Sequence, residues 1–394
     1  MACPRKRMYS FRAAEKAAIY IKTKAVFVIF HLVNAQHNAN FKPFPPVVPL
    51  AGGLPFNSIG LAAPFAVAPI AAPLPYQAVN VARSSFLWDA VTAGYCSLSA
   101  MAALPALGPA DRRRLRRTAA ARAVYLTSAY SMPAGDGPVR MPHYNSIEAS
   151  EKGVLSFFVG QAVALRQTKL IWGPLYGVRR LYHRSLYRGV PGIFVGGGPS
   201  PDYLCSLNIG GVDTIGVVEA KGRGEVFDPS VSPRNREKLN DWFQQCNGIG
   251  FIPAIAAVSV ACAGPPGLPG VVVGQFWDPI IENFDALDAI AREILLAKYF
   301  LRLFGFLNLF ERDPARDGLV VWHCNEIGFN IGMSEAQFNA LHALQQAPDG
   351  VHAFCEFLDA QDDMPEAQTR LDDREAIRNL DGLILCLNND FVAD

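Results

Sequence analysis

The chain has 394 residues, about half of them hydrophobic, and a formal net charge of +1, enough for a sizeable core in two or three domains. Its eight cysteines and seven histidines show no CxxC and no regular spacing, which argues against a zinc site and for free thiols in a reducing compartment, so the expected location is cytoplasmic. No stretch of 18 or more uninterrupted apolar residues appears, which argues against a conventional transmembrane helix.

The near-neutral total hides an asymmetry. Residues 1–147 carry 16 Lys/Arg against 4 Asp/Glu, residues 148–355 carry 17 against 20, and residues 356–394 carry 3 against 11. A basic front and an acidic tail fit either nucleic-acid contact or neutralisation within the fold.

Residues 1–42 open with Arg5-Lys6-Arg7, read as a basic helix and then a β-branched and aromatic run. Residues 43–76 hold nine prolines; proline fixes φ and lacks an amide donor, so this is a linker or an extended covering segment. Residues 84–107 have a helical, small-residue texture. Pro109 and Asp111 begin a helix that carries Arg112, Arg113, Arg114, Arg116 and Arg117, either a phosphate contact or a solvated face. Together residues 1–145 form an N-terminal extension.

From Ser146 the texture changes. Residues 146–165 predict a helix with an apolar period at Val154, Phe157, Phe158, Gln161 and Leu165. Residues 166–190 then alternate Arg166, Lys169, Arg179, Arg180, Arg184 and Arg188 with Trp172, Tyr176, Tyr182 and Tyr187. Guanidinium forks suit phosphate and rings suit base stacking, while arginines snorkelling over an amphipathic helix would give the same pattern. The glycine cluster at 192–199 lacks GK[ST] and reads as a bend.

Residues 201–221 read PDYLCSLNIGGVDTIGVVEAK. Gly210-Gly211 is a favoured two-residue hairpin turn. Placing Ile209 opposite Val212 sets Asp202 opposite Glu219, and Lys221, two residues on, shares their face. Two carboxylates side by side repel unless a cation lies between them, and hard oxygens with water suit Mg²⁺ or Mn²⁺. Asp213 has the right parity but lies about 20 Å of strand away from Glu219. Cys205 falls on the opposite face, toward the core.

Residues 233–247 predict a helix that contains Lys238, and 251–261 and 270–277 predict strands. Residues 279–310 predict a long apolar helix for a core or an oligomer interface. Residues 334–380 predict one or two helices with acidic loops, and 382–387 a last strand or helical turn.

Pro201-Asp202 followed by Glu219-Ala220-Lys221, with Gly222-Arg223 after the lysine, resembles the PD-(D/E)xK nuclease superfamily. The resemblance covers residues 146–280, and the order of elements there resembles that superfamily's αβββαβ core. It implies an α/β, restriction-endonuclease-like fold, flanked by the extension and by a helical C-terminal region over 281–394. It also implies a Mg²⁺- or Mn²⁺-dependent nuclease that hydrolyses phosphodiester bonds, acting on DNA ahead of RNA. Asp202, Glu219 and the Ala220 carbonyl would hold the metal, Lys221 would serve the attacking water, and Glu151, with Glu148 as runner-up, would add a carboxylate from the preceding helix. Arg179, Arg180, Arg184, Arg188, Arg223 and Lys238 would contact nucleic acid, and 281–310 would pair with a second copy or a partner subunit. The competing readings are an ion pair in an ordinary α/β sheet and a catalytically inactive nucleic-acid-binding or protein-interaction module on the same fold.

Overall fold

The structure, a computed structural model, describes residues 27–36, 76–93, 108–131, 139–193, 200–223, 251, 253–263, 271–277, 284–361, 367–371 and 374–388. The proline-rich stretch, the helix expected over 233–247 with its Lys238, and most of the 192–199 bend lie outside them.

Two strands, β1 (Phe27–Gln36) and β2 (Tyr76–Ala82), precede helices α1 (Arg83–Thr92) and α2 (Pro109–Ala129). The short strands β3 (Tyr130–Ser131) and β4 (Val139–Arg140) lead to the long helix α3 (Ala149–Tyr176). After it come β5 (Tyr182–His183), the single turn α4 (Arg184–Tyr187), β6 (Tyr203–Ile209), β7 (Val212–Arg223), β8 (Ile255–Ala263) and β9 (Val271–Trp277). The C-terminal part comprises α5 (Ala289–Leu307), β10 (Glu311–Arg312), β11 (Leu319–Cys324), β12 (Phe329–Ser334), α6 (Glu335–Gln346), α7 (Val351–Asp359), β13 (Ala367–Leu371), β14 (Arg374–Arg378) and β15 (Ile384–Leu387). The fold is mixed α/β.

One sheet has the order β2-β1-β9-β8-β7-β6-β5, and a second has the order β10-β11-β12-β15-β14-β13. In the first, β7 pairs in parallel with β8 and β1 in parallel with β9, while the other described pairs are antiparallel. Strands β1 and β2 thus complete the sheet that holds the motif, and the N-terminal stretch is no separate appendage. The C-terminal region also departs from expectation: alongside its helices it builds a six-stranded antiparallel sheet. Its strands are short and alternate, as in the LVVWHC of β11 with every second residue buried, and such brief period-2 signals are easily lost between strong helices.

Helix α3 runs on through the arginine and aromatic stretch, past Pro174, to a left-handed Gly177. Its buried face holds Leu155, Val159, Ala162 and Val163, while Val154 and Phe157 are exposed. Of the expected apolar period, Gln161 and Leu165 are buried and Phe158 packs against the core, so only its first turn faces solvent. Trp172, Tyr182 and Tyr187 are fully buried, so these rings are core and not a base-stacking platform. Apolar residues of α5, among them Phe300, Phe304 and Phe306, enter the same core as α1, α2 and the second sheet. The expected interface over 281–310 is therefore largely interior, with Ile290 left exposed. Among the described residues no helix is long and apolar enough to cross a membrane.

Candidate active site

The hairpin forms as its glycines require. Gly210 and Gly211 have φ of +60° and +89°, a conformation that glycine adopts without steric penalty. Ile209 pairs with Val212 and Tyr203 with Val218, so one step further Asp202 faces Glu219. Pairs in an antiparallel ladder alternate between hydrogen-bonded and open types. Counting from the turn-closing pair Ile209–Val212, the position of Asp202 and Glu219 is an open one, where side chains approach most closely.

At the next position Pro201 would face Ala220. Proline has no N–H to give the Ala220 carbonyl, and the Pro201 carbonyl is taken by the Tyr187 hydroxyl. The ladder therefore ends there, and side chains take over its bonds. The Ala220 amide donates to Asp202 Oδ2 at 3.0 Å, and the Asp202 amide donates to Glu219 Oε2 at 3.2 Å. Lys221 Nζ binds Glu219 Oε1. Asp202, Glu219, the Ala220 carbonyl and Lys221 are thus gathered at the open end of the hairpin.

Burial first, and then the charge of Asp202, raises the pKa of Glu219, against the opposing pull of Lys221. Glu219 retains 21% side-chain exposure and Lys221 retains 41%, so solvent reaches the group. Two carboxylates and a carbonyl are the hard oxygen donors that Mg²⁺ or Mn²⁺ prefers. Among the described residues no cluster of three or more His, Cys, Asp or Glu side chains is present. The donor set fits a cation that keeps several waters, as Mg²⁺ does.

The helix α3 is pressed against the back of this site. A Cβ on Gly160 would stand 2.5 Å from the Gly222 amide nitrogen, and one on Gly222 would stand 1.6 Å from the Ser156 carbonyl oxygen. Trp172, further along the helix, lies on Gly216, which is earlier on the strand, so α3 runs antiparallel to β7. Glu151 is nine residues before Gly160, about 13 Å along the axis, and that displacement carries it past the C-terminal end of β7. Its carboxylate accepts the Glu148 amide at 3.3 Å and the Tyr125 hydroxyl. Both glutamates serve the helix N-terminus in a capping box. The structure does not bring Glu151 or Glu148 to the pair.

Of the expected nucleic-acid contacts, Arg184 and Arg188 are exposed and adjoin the site. The Arg184 amide donates to the Asp202 carbonyl at 3.0 Å, and Arg188 Nη2 reaches Ser200 Oγ at 3.4 Å. Arg180 is a correction: it is buried, binds Asp381 Oδ1 at 3.1 Å, and stacks on Phe300. An arginine whose fork is held by a buried carboxylate cannot reach a phosphate. Arg179 is half-buried in the loop after α3. Arg223 ends β7, and its side chain, like Lys238, lies outside the described residues. Asp213 sits opposite Asn208 and accepts its amide at 2.8 Å, well away from Glu219. Cys205 is fully buried on the α3 face.

Two supports had no signal strong enough to single them out in the sequence. Tyr203, next to Asp202, donates its hydroxyl to the buried Gln161 of α3. Ser259 on β8 donates to Gln167 Oε1 at 2.8 Å. Gln161 already stood in the expected apolar period, where a glutamine was the clue to a buried partner, and Gln167 is buried on the same helix. No protein-family model, curated protein or solved structure matches the chain.

Proposed function

We propose that the chain is a metal-dependent nuclease of the PD-(D/E)xK type, built on an αβββαβ core, that hydrolyses phosphodiester bonds in nucleic acid, with DNA the first substrate to test. The observation that carries this reading is the cross-bonding at the end of the hairpin, where Glu219 accepts the Asp202 amide and Asp202 accepts the Ala220 amide, with Lys221 on the same face. The order α3, β5, β6, β7, β8 and the parallel β7–β8 pair, which needs a long crossover, support the core assignment.

In this reading Asp202 and Glu219 would hold Mg²⁺ or Mn²⁺ through carboxylate oxygens, with the Ala220 carbonyl as a third donor. When bound, the ion polarises the phosphate and lowers the pKa of a coordinated water. The chain's own contribution is positional. Backbone amides fix both carboxylates, and Lys221, on the same face, would orient the attacking water. Arg184 and Arg188 hold flanking phosphates.

The test is cleavage of plasmid, single-stranded DNA and RNA with Mg²⁺, with Mn²⁺ and with EDTA. Metal-dependent cutting that disappears in Asp202→Ala and Lys221→Ala supports the reading, and no cutting with any metal refutes it. The Lys221–Glu219 contact favours a second reading, an inactive module in which the three side chains form a structural ion pair. It predicts nucleic-acid or protein binding without cutting, and a loss of stability in Lys221→Met that added metal does not change.

A further inference from the structure

A cavity of about 50 Å³ lies on the α3 side of the sheet, beyond the edge strand β5 and between α1, α3 and α5. That space admits more than one water-sized group, enough for a small oxyanion.

The polar lining is rich in donors. Lys169 comes from α3, Arg302 from α5 and His183 from β5, set among apolar walls that include Trp88, Leu165 and Phe306. The carboxylate in the lining, Asp89, is bound to the buried guanidinium of Arg166, so that pair is neutral as a unit. His183 Nδ1 accepts the Ser185 amide at 3.3 Å, which puts the ring proton on Nε2 as a donor. The Ser185 hydroxyl lies 3.0 Å from the same Nδ1 and receives Arg302 Nη1 at 3.3 Å. Burial, and then Arg302, Arg184, Arg122 and Arg188, pull the His183 pKa down to about 3, so the ring is neutral at pH 7. The Lys169 ammonium and the Arg302 guanidinium beside a space of this size match phosphate oxygens, which accept and carry negative charge.

We propose that this cavity binds a phosphate group, as free inorganic phosphate or as the phosphate of a mononucleotide. The site faces the opposite side of the sheet from Asp202 and Glu219 and does not depend on their role.

The test is calorimetry and thermal shift on the full chain in EDTA, at ionic strength matched with sodium chloride. The probes are inorganic phosphate, adenosine monophosphate and adenosine. One-to-one saturable binding of inorganic phosphate or the nucleotide, and none of adenosine, is the expected result. Tighter binding of the nucleotide than of inorganic phosphate assigns the mononucleotide source, and equal or weaker binding assigns the free ion. Lys169→Ala, at a half-buried rim position, should weaken binding at least tenfold with an unchanged circular dichroism spectrum, and Lys169→Arg should retain it. Absence of saturable binding by either phosphate overturns the proposal, as does affinity unchanged in Lys169→Ala.

Discussion

Replacing Gly222 by alanine tests how the helix α3 holds the strand that carries Lys221. The added Cβ would lie 1.6 Å from the Ser156 carbonyl oxygen and 2.3 Å from its carbon. Helix and strand backbones must part by about 1.4 Å to bring the closer contact to 3.0 Å. Both sides are backbone, so no rotamer change relieves the overlap. Overpacking typically costs about 1–3 kcal/mol, and a clash this deep belongs at about 3 kcal/mol or above. At about 2–4 °C per kcal/mol for large domains, the melting temperature should fall by roughly 6 °C or more. Urea unfolding followed by tryptophan fluorescence gives the free energy directly. Gly153→Ala is the control, because nothing lies within 4 Å of its Cβ and removing a helical glycine should stabilise by about 0.5–1 kcal/mol. If Gly222→Ala is as stable as the parent, the close approach of α3 to β7 is wrong. The reasoning about the site's backing then fails with it.

Three further outcomes are expected. Asp381→Ala should cost about 3–5 kcal/mol, the usual loss when one member of a buried pair is removed; Arg180 and Tyr299 both bind this carboxylate, and urea titration measures the change. Because the pKa of Glu219 is raised in the folded chain, its contribution to stability is fully present below the unfolded carboxyl pKa and is lost as pH rises through the folded value. Unfolding measured across pH in EDTA should show this loss, Glu219→Gln should abolish it, and on the metal-site reading Mg²⁺ or Mn²⁺ should reverse it. Gly211→Ala, at a φ of +89°, should destabilise the hairpin by about 1–2 kcal/mol, and an unchanged denaturation midpoint would contradict the turn assignment.

The hairpin was legible because its information is local. A glycine pair dictates the turn, the turn sets the register, and strand parity then places Asp202, Glu219 and Lys221 on one face. The expected strand over 270–277 and the helix starting near Pro109 were legible for the same reason. Glu151 was not, because its position depends on which way α3 crosses β7. That direction is set by the clearance between Gly160 and Gly222, which involves residues far apart in sequence. Arg180 looked like its neighbours Arg184 and Arg188 until the fold supplied Asp381, two hundred residues later, as its partner. Long-range ion pairing leaves no periodic trace in a sequence. The second sheet was hidden by short strands that pair out of chain order, with β12 beside β15.

The placement of β1 has a consequence for how the polypeptide is made. Phe30 finds its parallel neighbour at Val271, so on the ribosome this early segment waits for most of the chain to be translated before its ladder can close. Until then β2 can pair with one edge of β1, and the edge that will meet β9 stays open. Such remote pairing slows folding and leaves unsatisfied backbone groups open to other nascent chains. Recovery from denaturant should therefore be slow and sensitive to protein concentration, and a chaperone that shields the waiting hairpin should raise the yield.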